Sequence, residues 1–385
     1  AFTLILLIGA GLLVQTLARL HTKGPGFDSS RLVMFYVNPL ESGYTESEAT
    51  QVIRDLLTTL QDLPVVERAA VAAEEQPTGG SWNANLTIQF QGRFVTESVV
   101  DLNWVSPGLF STFGTRVIAG RDFNERDALD SESDTGNFPA RSVIVNQRFA
   151  RRYFGNHSPI GHRLGFGNRP DTPANIEIVG VVDDFSYRGL REQTEQAFFP
   201  FWEGQEGNPG VFYLKVRAEP TFTFAAIREA VGQVVPTLPV SLRTIEDEID
   251  RSLTTERMLA TLSSGFGAIA LLLSVVGLYG VMSFVVTCRT QEIGVRMALG
   301  ATRSAAVWLI VRDAVVMIGA GTAMALPCVW VLSRLVEAQL FGVRAVDGPT
   351  IAIANGILAL VAVGAAMLPA WRGASVSPTE ALRLE

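Results

Sequence analysis

The chain has 385 residues, 48% hydrophobic and 18% charged, with a formal net charge of −7. A mean hydropathy of +0.26 is too apolar for a soluble protein of this length, so apolar and charged residues must be segregated along it. Between Arg19 and Arg257, 23 Lys and Arg stand against 32 Asp and Glu, which disfavours a nucleic-acid-binding role.

Four stretches carry no charge: Ala1–Ala18, Met258–Cys288, Ala314–Ser333 and Gly348–Trp371, of 18, 31, 20 and 24 residues. About 20 apolar helical residues cross a hydrocarbon core ~30 Å thick, so all four are predicted spans, near 1–20, 258–288, 306–334 and 349–371. The first opens at Ala1 with neither a basic start nor a small-residue cleavage site. It reads as a truncated span of a longer chain rather than a signal peptide.

Residues 21–256 form the expected polar domain. Leu32–Val37 is a predicted strand, Tyr44–Leu63 a helix by its apolar spacing, and Val65–Ala73 a second strand. The pattern returns later as strand Phe212–Val216, helix Phe222–Val235 and strand Val240–Leu242. Two β-α-β units of similar length predict a split β-α-β subdomain from about 30–75 and 211–245. Residues 76–210 would be an inserted mixed α/β subdomain. Its strand candidates are Leu86–Phe90, Ser98–Trp104, Ser142–Val145 and Ile176–Val182. The polar, acidic stretch Glu125–Phe138 reads as a disordered loop. Thr244–Arg257 is predicted to run unbroken into the second span as a stalk, since the 31 uncharged residues alone reach about 46 Å. The fold class is therefore an α+β membrane protein with a 1+3 arrangement of spans around one large domain.

The loop between the second and third spans carries Arg289, Arg296, Arg303 and Arg312 against Glu292 and Asp313. The positive-inside rule places this loop and the C-terminus in the cytoplasm and the large domain outside. Arg19, His21 and Lys23 argue weakly the other way. Cys288 and Cys328 fall at opposite membrane sides and read as free core thiols. Pairs of small residues, Ser263/Gly267, Ala270/Ser274 and Gly319/Ala323, suit either packing within the chain or dimerisation.

No G-x-x-x-x-G-K-[ST] occurs, so no phosphate-cradling loop is predicted. His21, His157 and His162 lack metal-ligand spacing, and Asp183-Asp184 reads as a strand-end turn. No catalytic constellation, metal site or cofactor is expected. The spans hold Gln15 as their notable polar group and almost no ionisable residue, which disfavours ion-coupled transport through the bilayer.

Residues 289–303, RTQEIGVRMALGATR, set Arg289, Glu292 and Arg296 at i, i+3, i+4 spacing. Ile293, Met297 and Leu299 supply apolar area, and Gly300 is placed to end the helix. Such a helix can lie at the membrane interface or dock in a partner's groove.

Glu292–Ala301 (EIGVRMALGA) resembles the cytoplasmic signature of the MacB/FtsX-type ABC permeases. Val105–Phe110, Ala119–Phe123, Asn146–Phe154 with Pro159-Ile160-Gly161, and Val179–Val182 resemble the MacB-like periplasmic core. Pro369–Arg372 and Pro378–Leu382 resemble the family's C-terminus, and the likeness covers nearly the whole chain. MacB carries an ATPase at its N-terminus and this chain does not. In that respect it resembles the C-terminal half of a duplicated orphan permease. The resemblance implies a bacterial inner-membrane permease subunit, paired with a second permease half or a second copy and driven by a separate cytoplasmic ABC ATPase. Its ATPase-coupling residues would be Arg289, Glu292, Ile293, Gly294, Arg296, Met297, Leu299 and Gly300, with membrane residues 257–385 as the FtsX-like part. Hydrolysis would move the outer domain by mechanotransmission for export or envelope processes, with a periplasmic adaptor as a possible outer partner. The alternatives are an FtsX-like scaffold regulating a periplasmic cell-wall hydrolase and, of another class, a membrane-anchored envelope enzyme.

Overall fold

The computed structural model describes residues 2–77, 82–90, 93–124, 127, 140–169, 171–186, 189–190, 194–203, 209–236, 238, 240–289, 292, 295, 299, 302–336 and 348–374. The chain divides into an α/β unit, Lys23–Ser252, and a helical unit, Ala1–Thr22 with Leu253–Glu385. In chain order, α1 (Phe2–Lys23) precedes β1 (Leu32–Val37), α2 (Glu46–Gln61), β2 (Val66–Ala72), β3 (Asn83–Phe90), β4 (Arg93–Val105) and α3 (Leu109–Phe113). Next come β5 (Val117–Gly120), β6 (Ser142–Asn146), α4 (Gln147–Phe154), β7 (Arg163–Phe166), β8 (Ile176–Val182) and β9 (Gln196–Pro200). They are followed by β10 (Gly210–Val216), α5 (Pro220–Val234), β11 (Arg243–Thr244), α6 (Ile245–Ser252), α7 (Thr254–Cys288), α8 (Arg303–Val336) and α9 (Gly348–Ala374).

In the α/β unit, four strands lie in the order β11-β1-β10-β2. Phe35 on β1 faces Phe212 on β10, which faces Val71 on β2, and both pairings are antiparallel. The strands β1 and β2 are thus parallel with β10 between them, the expected split β-α-β arrangement. Helix α2 starts at a capping box: the Thr45 hydroxyl accepts from Glu48 N–H, and Glu48 returns a bond to Thr45 N–H. It buries Ala49, Ile53, Leu56, Leu57 and Leu60 against one face of the sheet, together with Ile227 and Val231 of α5. On the other face, Met34, Ala70 and Tyr213 pack with Phe110 and Phe113 of α3 and Ile245 of α6.

The middle of the chain closes on itself. Strands β4, β3, β7, β8, β6 and β9 pair in sequence, and β9 returns parallel to β4 with Trp104 beside Phe199. This ring joins the four-stranded part where Ala72 of β2 pairs Val105 of β4.

Several sequence expectations change. The last strand is not Val240–Leu242 but the two-residue β11, paired with Val33 and Met34. Strands β5, β7 and β9 and helices α3 and α4 were not expected. β9, QAFFP, is buried at every position, so it shows no alternation to read. The stalk helix is broken: α6 ends at Ser252, and Leu253 takes φ −89° and ψ 3° before α7 begins. Of Glu125–Phe138 only Asp127 is described, where it accepts two bonds from Arg121 at 2.6 and 2.8 Å; the rest of that stretch lies outside the described residues.

The connector 24–31 is fastened along its length. Pro25 C=O accepts from Ser186 N–H at 2.8 Å. Gly26 has φ 87°, and a Cβ there would come within 3.0 Å of Asp184 O. Phe27 stacks on Phe113 at 4.4 Å between centroids, and Asp28 N–H donates to Phe113 O. Lys215 of β10, 7% exposed, donates to Asp28 Oδ2 and to Ser30 C=O, both at 2.6 Å. Burial pushes the Asp28 carboxyl up, but hydrogen bonds from Lys215 and Ser30 and the Lys215 charge outweigh it and hold the group below the ordinary aspartate value.

In the helical unit, Leu4, Ile8 and Leu12 of α1 pack against Ala325 and Val329 of α8 and Ala354 of α9. Helix α1 packs on α7 at Gly267, where a Cβ would lie at ordinary contact distance, 3.6 Å from Leu7 Cδ2 and 3.9 Å from Ala10 Cβ, and a longer side chain would not fit. The Ser274 hydroxyl meets that of Thr3. Gly267 and Ser274 thus take part in packing within the chain, while Gly319 faces open space. Helices α7 and α8 touch each other little, and both pack chiefly on α9. Thr350 of α9 donates to Gln15 Oε1 at 3.3 Å, and Thr322 of α8 to Asn355 Oδ1 of α9 at 2.8 Å. Asn355 is a polar group that the sequence reading passed over. Trp308 and Trp330 of α8 are both exposed and 22 residues apart, about 33 Å along a helix, which suits two interfacial belts.

Three outcomes are expected. Removing the partner of a buried charge costs more than removing the charge, so Asp28→Ala should destabilise β10 by about 2 kcal/mol and Lys215→Met by less. Hydrogen exchange of β10 amides in the detergent-solubilised full chain measures this, and the reverse order refutes it. Because the folded Asp28 value is depressed, its contribution is present above the ordinary aspartate range and is lost as pH falls through the folded value. Asp28→Asn should flatten that acid loss. In the membrane unit, Gly267→Leu should lower the melting temperature in detergent by several degrees, whereas Gly265→Leu, facing open space, should not.

Candidate coupling surface at the membrane boundary

The site is built where α7 ends and α8 begins. Arg289 closes α7, its N–H reaching Val285 and Val286 C=O at 3.1 and 3.2 Å. Its guanidinium donates to Asp313 Oδ2 of α8 at 2.9 Å. Beyond it, Glu292 and Val295 are helical, and Leu299 N–H donates to Val295 O at 3.1 Å. That i, i+4 bond sets Val295 and Leu299 on one face of a helical turn. Leu299 is 83% exposed, Val295 46%, and Glu292 is exposed. Of the predicted coupling residues, Arg289, Glu292 and Leu299 are described, while Ile293, Gly294, Arg296, Met297 and Gly300 lie outside the described residues.

Val295, Trp308 and Asp313 were missed. Val295 sits four residues before Leu299, a spacing the sequence offers directly. Trp308 is exposed on the second turn of α8. The signal for Asp313 is its position as the last charge before twenty uncharged residues.

The surface is made of Glu292, Val295, Leu299 and Trp308, all exposed. It offers apolar side chains for docking, beside charged ones for orientation. The other candidate groups are occupied structurally. Asp183 pairs with Arg116 at 3.0 Å, and Asp184 accepts from Arg148 N–H at the start of α4. His157 and His162 pack on the Phe90 ring, with centroids 5.5 and 5.2 Å away. Burial pushes the Asp122 carboxyl up against the backbone N–H bonds of Phe123 and Gly108 that lower it. Cys288 and Cys328 are free and exposed.

Residues 1–234 match the MacB-like periplasmic core domain, and residues 264–378 match the FtsX-like permease C-terminal region. The macrolide export ATP-binding/permease protein MacB of Acinetobacter baylyi is 26% identical over 302 residues, which cover 75% of this chain and 43% of that protein. The uncharacterized ABC transporter permease YknZ of Bacillus subtilis is 24% identical over 302 residues, covering 75% of this chain and 71% of that one. The chain thus spans less than half the length of the first relative. The periplasmic region of MacB from Actinobacillus actinomycetemcomitans aligns with 59% of this chain and 94% of its own, at 14% identity and a TM-score of 0.39.

Proposed function

The chain belongs to the MacB/FtsX-type ABC transporter permease family, a multi-pass inner-membrane protein with its large α/β domain outside the cytoplasm, and from that premise we propose that it couples a separate cytoplasmic ATPase to movement of that domain. The observation that carries this reading is the helical turn of Glu292, Val295 and Leu299, which presents apolar side chains away from the bundle at the cytoplasmic end of α7. An apolar face of that kind gains its stabilisation from burial against a partner groove. The charged members, Glu292 and Arg296, set the orientation of docking.

The division of labour follows the sequence boundaries: residues 1–20 as the first span, 21–256 as the outer core, and 257–385 as the permease domain. Within the outer core, 30–75 with 211–245 form one subdomain and 76–210 the other. The uncharged runs of the spans offer hydroxyls and amides such as Gln15, Thr322 and Asn355. This supports work done by the outer domain over work done by a charged path through the bilayer. A second permease half, or a second copy, completes the assembly.

The test pairs the chain with its co-purified ATPase. Glu292→Ala and Leu299→Ser should each lower the permease-stimulated hydrolysis rate by about tenfold, the effect of losing one buried anchor. An intact complex hydrolysing at the unaltered rate overturns the coupling role of this turn.

A further inference from the structure

Arg289 faces two possible uses, contact with a partner or contact within its own chain, and the geometry favours the second. Its backbone is bound into the last turn of α7, and its guanidinium is bound to Asp313. Asp313 is the eleventh residue of α8, about 15 Å along the axis from Arg303. Along the chain, the two tied residues bracket an overhang that includes the first turns of α8. Glu292, Val295, Leu299, Trp308 and Arg312, all exposed, belong to that overhang.

Helices α7 and α8 make little direct contact, so side chains that bridge them govern the spacing of their ends. Surface ion pairs contribute little where water screens them. This one stands at the boundary of the third span, where Asp313 is followed by the uncharged run from Ala314. The Asp313 side chain is only 25% exposed. A carboxylate at the edge of hydrocarbon needs a partner, and a nearby guanidinium supplies it at fixed geometry.

We propose that Arg289 and Asp313 form a clasp that fixes the feet of the 289–303 segment, making both positioning residues rather than contacts to the ATPase. The inference rests on reading that segment as the coupling element. The clasp keeps the segment from swinging independently of α8, so that a push on the exposed turn is delivered to the membrane helices.

Cys288, adjacent to Arg289 and exposed, reports on the clasp. In a Cys328→Ser background it is the single thiol, and a membrane-impermeant maleimide can be applied to inside-out vesicles bearing the full chain. Arg289→Gln and Asp313→Asn should each raise the labelling rate about fivefold, the scale of one ion pair. Arg289→Lys should stay within about twofold of the parent, as should the exchange of both charges, Arg289→Asp with Asp313→Arg. Unchanged labelling in Arg289→Gln and Asp313→Asn overturns the clasp. Fast labelling in Arg289→Lys also counts against it, because it means the cation's charge is not what holds the ends. No ATPase is present in this assay. The clasp can therefore fail while the coupling reading stands, and the Glu292→Ala hydrolysis assay removes the coupling reading without touching the labelling result.

Discussion

The α/β unit depends on how one charge is met inside a strand that has no exposed position. Every residue of β10 is buried, flanked by β1 and β2 and covered on both faces, and Lys215 sits within it. An ammonium group in that position is stable only if its donors are satisfied. Asp28 and the Ser30 carbonyl satisfy them, and both lie on the connector that leads out of α1. The requirement of the central strand thus fixes the entry of the chain. Phe27, Gly26 and Pro25 then fall against Phe113 and the segment Asp184–Ser186, and α3 is locked over the second face of the sheet.

The fold class was legible because two patterns are clean in the sequence. Charge-free runs mark the four membrane helices, and the Ala49–Leu60 spacing marks α2 between two apolar strands. What was not legible has physical reasons. β9 is buried on both sides, and the four residues of β7 include Gly165, whose missing side chain admits the Pro173 carbonyl. Neither shows a period-2 signal. The break at Leu253 carries no Pro or Gly, so nothing local announces it. The Lys215–Asp28 pair joins residues 187 apart in sequence, a contact that only the sheet register brings about.

The candidate coupling surface was partly legible. Charge spacing singled out Arg289, Glu292 and Arg296, but it could not say which charges point to solvent and which are used internally. Arg289 turned out to be bound to Asp313, and Leu299 shares its helical turn with Val295. A one-dimensional helical pattern ranks faces of one helix. It does not see the neighbouring helix that consumes one of those faces.

The helical unit uses the same economy of ties as the α/β unit, under a different solvent constraint. In hydrocarbon, apolar contact between helices gains little over contact with lipid, so close approach and hydrogen bonds decide the packing. Helix α1 meets α7 at Gly267, Gln15 meets Thr350, and Thr322 meets Asn355. All but the first involve α9, which is also the helix that α7 and α8 both pack upon. The fourth span is therefore the keel of the bundle, and α7 and α8 are held to it more firmly than to each other. A force arriving at the cytoplasmic turn between α7 and α8 would spread those helices apart unless their ends were joined. The Arg289–Asp313 pair joins them at that point, where the bilayer boundary lowers the screening that otherwise makes a surface ion pair weak.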